Sequence, residues 1–158
     1  MMRFLGTYPY KVTTTTYWKK EISFPQFAGM KTWADGDADD RTVYKAAHDY
    51  LLAIFSARMD ERLQVPGGEA LDSGVGDAYV FVSWLTLAKI ILYEQFRITE
   101  MKPSQFARKI GVTHASFTRL LNVRHESKER LIFAAFDALG IETDWDLNAR
   151  PIRHSYPS

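Results

Sequence analysis

The chain has 158 residues, enough for one domain or two small ones with a core that needs no covalent staples. It contains no cysteine, which excludes disulfides and thiolate metal sites and suits a reducing cytoplasm. The net charge of +1 hides an asymmetry: residues 1–84 hold nine basic and eleven acidic side chains, net −2, whereas residues 85–130 hold nine and four, net +5.

The opening segment, MMRFLGTYPYKV, lacks the apolar run of a secretory signal, so a cytoplasmic protein is expected. YPYKVTTTT (8–16) and YWKKEISF (17–24) alternate and are rich in β-branched and aromatic residues, which predicts two strands of a hairpin. Tyr8, Tyr10 and Val12 share one face of the first strand; Trp18, Ile22 and Phe24 share a face of the second. A third short strand is expected at about 30–34. The acidic run DGDADD then reads as a helix start, with Asp37 or Asp39 as cap. The helix continues to about Met59, carrying Val43, Ala46, Ala47, Tyr50, Leu51, Ile54 and Phe55 as one apolar stripe. VPGGEALDSGVG (65–76) is a loop by composition, and DAYVFVSW (77–84) alternates as a fourth strand.

Beyond residue 85 the pattern is almost wholly helical, at about 86–98, 103–110, 114–121 and 126–139, with Gly140 as the stop. The most hydrophobic of these, around LTLAKIILYEQF, carries Lys89 and Glu94 and is too short to span a bilayer, so no membrane association is expected. Residues 142–158 are weakly patterned and read as a loosely held tail. The expected fold is α+β: a β-β-β-α-β unit over 1–84, then an all-α unit over 85–141.

Residues 103–122, PSQFARKIGVTHASFTRLLN, are the most informative stretch. Ala107 is small where two helices would cross, and Gly111 can take the positive φ of a sharp turn. Phe106, Ile110, Val112, Phe117 and Leu120 supply apolar contacts, leaving His114, Ala115, Ser116, Thr118 and Arg119 outward, as a DNA-recognition helix requires. The plain alternative is a helical hairpin in a core. His114, Ser116, Thr118 and Arg119 are expected to face the groove, where Arg119 reads guanine or grips phosphate. Thr113 serves as cap, phosphate contact or both. Gln105 is placed for a phosphate, and Arg124, His125 and Lys128 add backbone contacts. The four histidines, His48, His114, His125 and His154, show no ligand spacing, so neither a metal site nor a cofactor is expected.

The order and spacing of ISFPQF, TVYKAAHDYLLAIF, the Pro/Gly loop, LAKIILYEQF, FARKIGVTHASFTRLLN and HESKERLIFAAFDALG resemble the HicB family of bacterial antitoxins, over about residues 2–141. Two features depart from the family pattern: TTTTYW occupies the first hairpin turn, and Lys102 stands where Ser or Thr usually caps the helix. The resemblance implies a partial RNase H-like N-terminal domain that binds and silences HicA, a small mRNA-cleaving toxin. It also implies a C-terminal helix-turn-helix domain that binds operator double-stranded DNA. An RNA-binding toxin should present a basic surface, which an acidic domain is suited to meet. Asp35, Asp37, Asp39 and Asp40 are the candidate acidic contacts. Phe24, Pro25 and Phe27 are candidate apolar anchors, with a structural role equally open to them.

An active nuclease would need converging carboxylates, and the expected strands offer only Glu21 and Asp77, so a binding protein without catalysis is expected. A plain helix-turn-helix repressor with a different sensing domain is the alternative. Expected assembly is a homodimer, or a tetramer of paired dimers, since two heads about 34 Å apart match successive major-groove turns. Leu131, Ile132, Phe133, Ala135, Phe136 and Leu139 exceed one apolar face of the last helix and are the candidate contact, unless they pack within their own domain.

Overall fold

The computed structural model describes residues 2–15, 17–141 and 143–146. β1 (Met2–Leu5) and β2 (Thr7–Thr14) are separated by Gly6 alone. β2 turns back as β3 (Lys19–Ser23), which pairs with β4 (Lys31–Asp35). After α1 (Asp40–Asp60), β5 (Ala78–Phe81) pairs with the first half of β2, giving one antiparallel sheet in the order β4-β3-β2-β5. α2 (Trp84–Thr99), α3 (Pro103–Ile110), α4 (His114–Leu120) and α5 (Glu129–Leu139) follow. The architecture is mixed α+β, as the sequence pattern predicts.

Strand alternation and the helical stripe meet face to face. Tyr8, Tyr10, Ile22, Phe24 and Val80 are buried on the sheet, against Val43, Ala47, Leu51, Ile54 and Phe55 of α1. The Tyr8 and Phe55 rings meet edge-on at 5.1 Å. Full burial of each large apolar side chain contributes about 1.5–3 kcal/mol. Of the two candidate caps of α1, Asp39 is the one used: its carboxylate accepts the Thr42 N–H at 2.8 Å. The 65–76 loop runs back along β2, where Gly68 N–H donates to Leu5 O and Glu69 N–H to Thr7 O.

Four local expectations need correction. Trp18 does not share the face of Ile22 and Phe24: it lies in the hairpin turn at φ 59 and is exposed. The strand expected to reach residue 84 ends at Phe81, because the Ser83 hydroxyl caps α2 by accepting the Thr86 N–H at 3.1 Å. α5 starts at Glu129 rather than 126, since the residues just before it are drawn toward Lys89. The expected tail lies mostly outside the described residues, but its described part forms β6 (Thr143–Asp146), which pairs in parallel with β1.

The core is continuous across residue 85. α2 is buried on nearly every side, from Thr86 to Glu94 and again at Phe96. The segment after α1 is fastened to it. Tyr93 Oη–H donates to Leu63 O at 2.7 Å, and Glu94 Oε2 accepts the Val65 N–H at 3.1 Å. Arg62 donates to Phe96 O and Met101 O, at 3.1 and 2.9 Å, and its guanidinium lies 4.0 Å from the Phe96 ring centroid. The Arg62 guanidinium thereby supplies donors to one carbonyl in the last turn of α2 and one just beyond it, where a cation is also favoured by the helix dipole.

Candidate functional site

α3 and α4 are joined by the three residues Gly111, Val112 and Thr113. Gly111 takes φ 79 as the cap of α3, and Val112 N–H donates to Ala107 O at 3.0 Å, which closes the helix end. Lys102 lacks a capping oxygen, yet the start of α3 is secured from the other direction: the Gln105 side-chain oxygen accepts the Lys102 N–H at 3.0 Å. Thr113 caps α4 by accepting the Ser116 N–H at 3.1 Å. Phe96, Phe106 and Phe117 then lock α2, α3 and α4 together, with ring centroids 5.2–5.3 Å apart. Ala107 is 2% exposed, so a small residue does stand where the helices meet.

Burial of Phe117 and Leu120 turns the rest of α4 outward. His114, Ala115, Thr118 and Arg119 are exposed and Ser116 is half-buried. The Thr118 hydroxyl donates to His114 O at 3.1 Å, leaving its lone pairs outward. Gln105, Arg124, His125 and Lys128 are exposed as well. Ser116, Arg119, His125 and Lys128 line one open depression of about 220 Å³, together with Arg130, which the sequence pattern does not single out. Its signal would have been the helix start at Glu129, which places Arg130 in the first turn of α5 beside the loop. Gln105 and Arg124 do not line this depression.

The loop beyond α4 is organised from inside by Lys89. This side chain is wholly buried, and its ammonium donates to Arg119 O, Asn122 O, His125 O and Ser127 Oγ at 3.0, 2.8, 2.6 and 2.9 Å. Burial pulls its pKa down to about 8, so it remains charged at neutral pH. Inward-pointing carbonyls at 119, 122 and 125 anchor the backbone of this loop, while Arg124, His125 and Lys128 stay exposed on it. The sequence shows Lys89 only as a charge on an apolar helix, so this role was not foreseen.

The acidic end of the sheet is arranged differently from expectation. Asp35, Asp37 and Asp40 are exposed. Asp39 is exposed too, but it is committed to capping, and its hydrogen bonding with Thr42 holds its pKa below the ordinary carboxylate value. Phe24 and Phe27 are 2% and 4% exposed and pack into the core, so neither offers surface to a partner; Pro25 is exposed. The two strand carboxylates do not converge. Glu21 pairs with Lys31 at 3.3 Å on β3, while Asp77 accepts the Val12 N–H next to β5, across β2.

No family model matches the chain. It is 27% identical over 135 residues to Antitoxin HicB of Escherichia coli strain K12, covering 85% of this chain and 94% of that one. Antitoxin HicB 1 and Antitoxin HicB 2 of Photorhabdus laumondii are 24% and 26% identical to it over 119 residues, each covering 75% of this chain. The chain is similar to the HicB antitoxins along most of its length. Wherever it starts, a match of 135 residues in this chain takes in β4, α1 and the helical pair α3 and α4. Among the described residues, no helix is long and apolar enough to cross a membrane.

Proposed function

We propose that the chain is a cytoplasmic antitoxin without a catalytic step. Its sheet side binds and neutralises a HicA-type mRNA interferase, and its helical side represses its own operon by gripping operator DNA. The observation that carries the antitoxin part is the likeness to named antitoxins over 85% of the chain. The operator part is supported by the outward face of α4 and the depression beside it, where Arg119, Lys128 and Arg130 outnumber Glu126. Ser116 and Arg119 stand at the groove, Thr118 and His114 flank them, Lys128 and Arg130 neutralise phosphates, and His125 adds a backbone contact. Thr113 and Gln105 act first as caps, with their remaining donors toward phosphate.

A homodimer, or a tetramer of paired dimers, would supply the second head. Ile132, Ala135 and Phe136 are buried within the chain and Phe133 stacks on Trp84 at 5.6 Å, which leaves Leu131, Phe133 and Leu139 with partly open surface for such a contact.

The test uses the full chain, because α2 belongs to the core of both sides. The chain is co-expressed with the product of the short reading frame next to its gene, and growth and a promoter reporter are followed together. Wild type should restore growth and repress the reporter. Ser116→Ala with Arg119→Ala should release the reporter and still restore growth. If wild type fails to restore growth while repressing the reporter, the chain is a repressor with a different sensing side. If the double variant represses as well as wild type, the assigned face is wrong.

A further inference from the structure

Among the described residues, the aromatic side chains most open to water gather at one end of the sheet. Tyr17 and Trp18, at the tip of the β2–β3 hairpin, are 84% and 85% exposed, and Trp33 on the edge strand β4 is 53% exposed. The tip is nonetheless well built. Thr15 N–H and its hydroxyl both donate to Lys19 O, at 2.8 and 3.1 Å. The turn after β4 presses against it so closely that a Cβ on Gly36 would lie 2.3 Å from the Trp18 carbonyl oxygen. Trp18 is held in the left-handed region, which a bulky residue avoids unless its surroundings impose it. A strained, propped turn that puts its two aromatic rings into solvent serves contact better than folding.

Beside the tip lies an open cleft of about 370 Å³. Trp33, Asp35 and Asp37 line it, Ala34 and Ala46 give it an apolar floor, and Lys19 is the one cation on its wall. An indole with two carboxylates suits a long cationic side chain, held by charge-assisted hydrogen bonds and by the ring face. We propose that the hairpin tip and this cleft are the seat of the toxin. An arginine or lysine of its RNA-binding surface enters between Trp33 and the carboxylates of Asp35 and Asp37, while Tyr17 and Trp18 cover the apolar part of the contact. This rests on the antitoxin reading, because a protein that cleaves RNA must present cations to a polyanion. A carboxylate cleft occupying those cations blocks the substrate directly. Exposed aromatics of this kind are the residue types that dominate interface energy.

The experiment measures binding of the purified full chain to the product of the adjacent short frame by calorimetry, at two salt concentrations, with promoter DNA binding as a control for folding. Trp18→Asn suits the left-handed turn and should fold, yet weaken the toxin at least tenfold. Trp33→Ala should do the same. Asp35→Asn with Asp37→Asn should weaken binding about tenfold at low salt and remove most of its salt dependence. Promoter binding should be unchanged throughout. If wild type binds and all three variants bind within twofold of it, the toxin docks elsewhere and the antitoxin reading survives. If wild type does not bind, both fall.

Discussion

Replacing Lys89 by Met keeps an unbranched stem in the core and removes only the ammonium. Four acceptors then lose a donor, but not equally. Arg119 O and Asn122 O each keep a backbone donor, from Asn122 N–H and His125 N–H at 3.1 and 3.0 Å, and Ser127 Oγ belongs to a half-buried residue. A hydrogen bond from a charged group contributes about 1.5–3 kcal/mol net, and leaving a part-buried carbonyl such as His125 O without that donor costs about 1 kcal/mol or more. Against these stands the relief of desolvating a buried charge. The balance is a loss on the order of 3 kcal/mol, a fall in Tm of roughly 6–12 °C for a chain of this size. Chemical denaturation of both proteins across pH supplies the assay. The folded-state pKa, about 8, lies below the ordinary 10.5, so between these values the unfolded chain holds a proton that the folded chain sheds. Stability of wild type therefore rises from pH 8 toward pH 10 relative to Lys89→Met, by up to about 1.4 kcal/mol per pH unit. A variant within 1 kcal/mol of wild type at pH 7 would refute the caged-ammonium account, and a flat difference above pH 8 would refute the lowered pKa.

Gly111→Ala meets open space but a φ of 79, so it should lose about 1 kcal/mol through backbone strain alone; urea denaturation measures it. Gly36→Ala must displace backbone at 2.3 Å, so its loss in the same assay should be the larger. Glu94→Gln leaves the Val65 N–H an amide oxygen instead of a carboxylate and takes away the partner of Arg97, which Glu94 engages at 2.9 Å through both oxygens. A loss of about 2 kcal/mol is expected, with faster hydrogen exchange at Val65 as the local readout. The stability supplied by Asp39 is present above the ordinary carboxylate pKa and is lost as pH falls through its lowered folded value. Asp39→Ala should therefore be less stable than wild type at pH 7 and converge with it in acid, by thermal melts.

What was legible from sequence was local. The Asp39 and Thr113 caps, the Gly111 and Gly140 stops and the 8–24 hairpin each depend on a few neighbouring residues. So does the outward face of α4, which follows from the spacing of Phe117 and Leu120. What was hidden depends on residues far apart. The Arg97 partner of Glu94 is local, but its bond to Val65 is not, and Lys89 is a lone charge until three carbonyls of the 119–125 segment surround it. Phe24 and Phe27 were candidates for surface or core, and only their packing against α1 and its rings decides for the core. Trp18 belonged by alternation to a strand face; the turn geometry that overrides the alternation comes from Gly36 on another strand's exit.

The ladder between β1 and β6 sets an order of events during synthesis. Met2 pairs with Thr143, and Leu5 with Asp146, so β1 meets its parallel partner only 141 residues later. While the ribosome is still making α2 to α5, the sheet can pair and α1 can settle on it, but this flank of β1 stays open. A nascent chain thus carries an unpaired strand border through most of its translation, the state in which strands recruit one another between molecules. Once Asp146 is released from the exit tunnel the border closes, and the first and last described strands become neighbours. Crowded polysomes making this chain are where mispairing would arise, and slowing translation lengthens that interval.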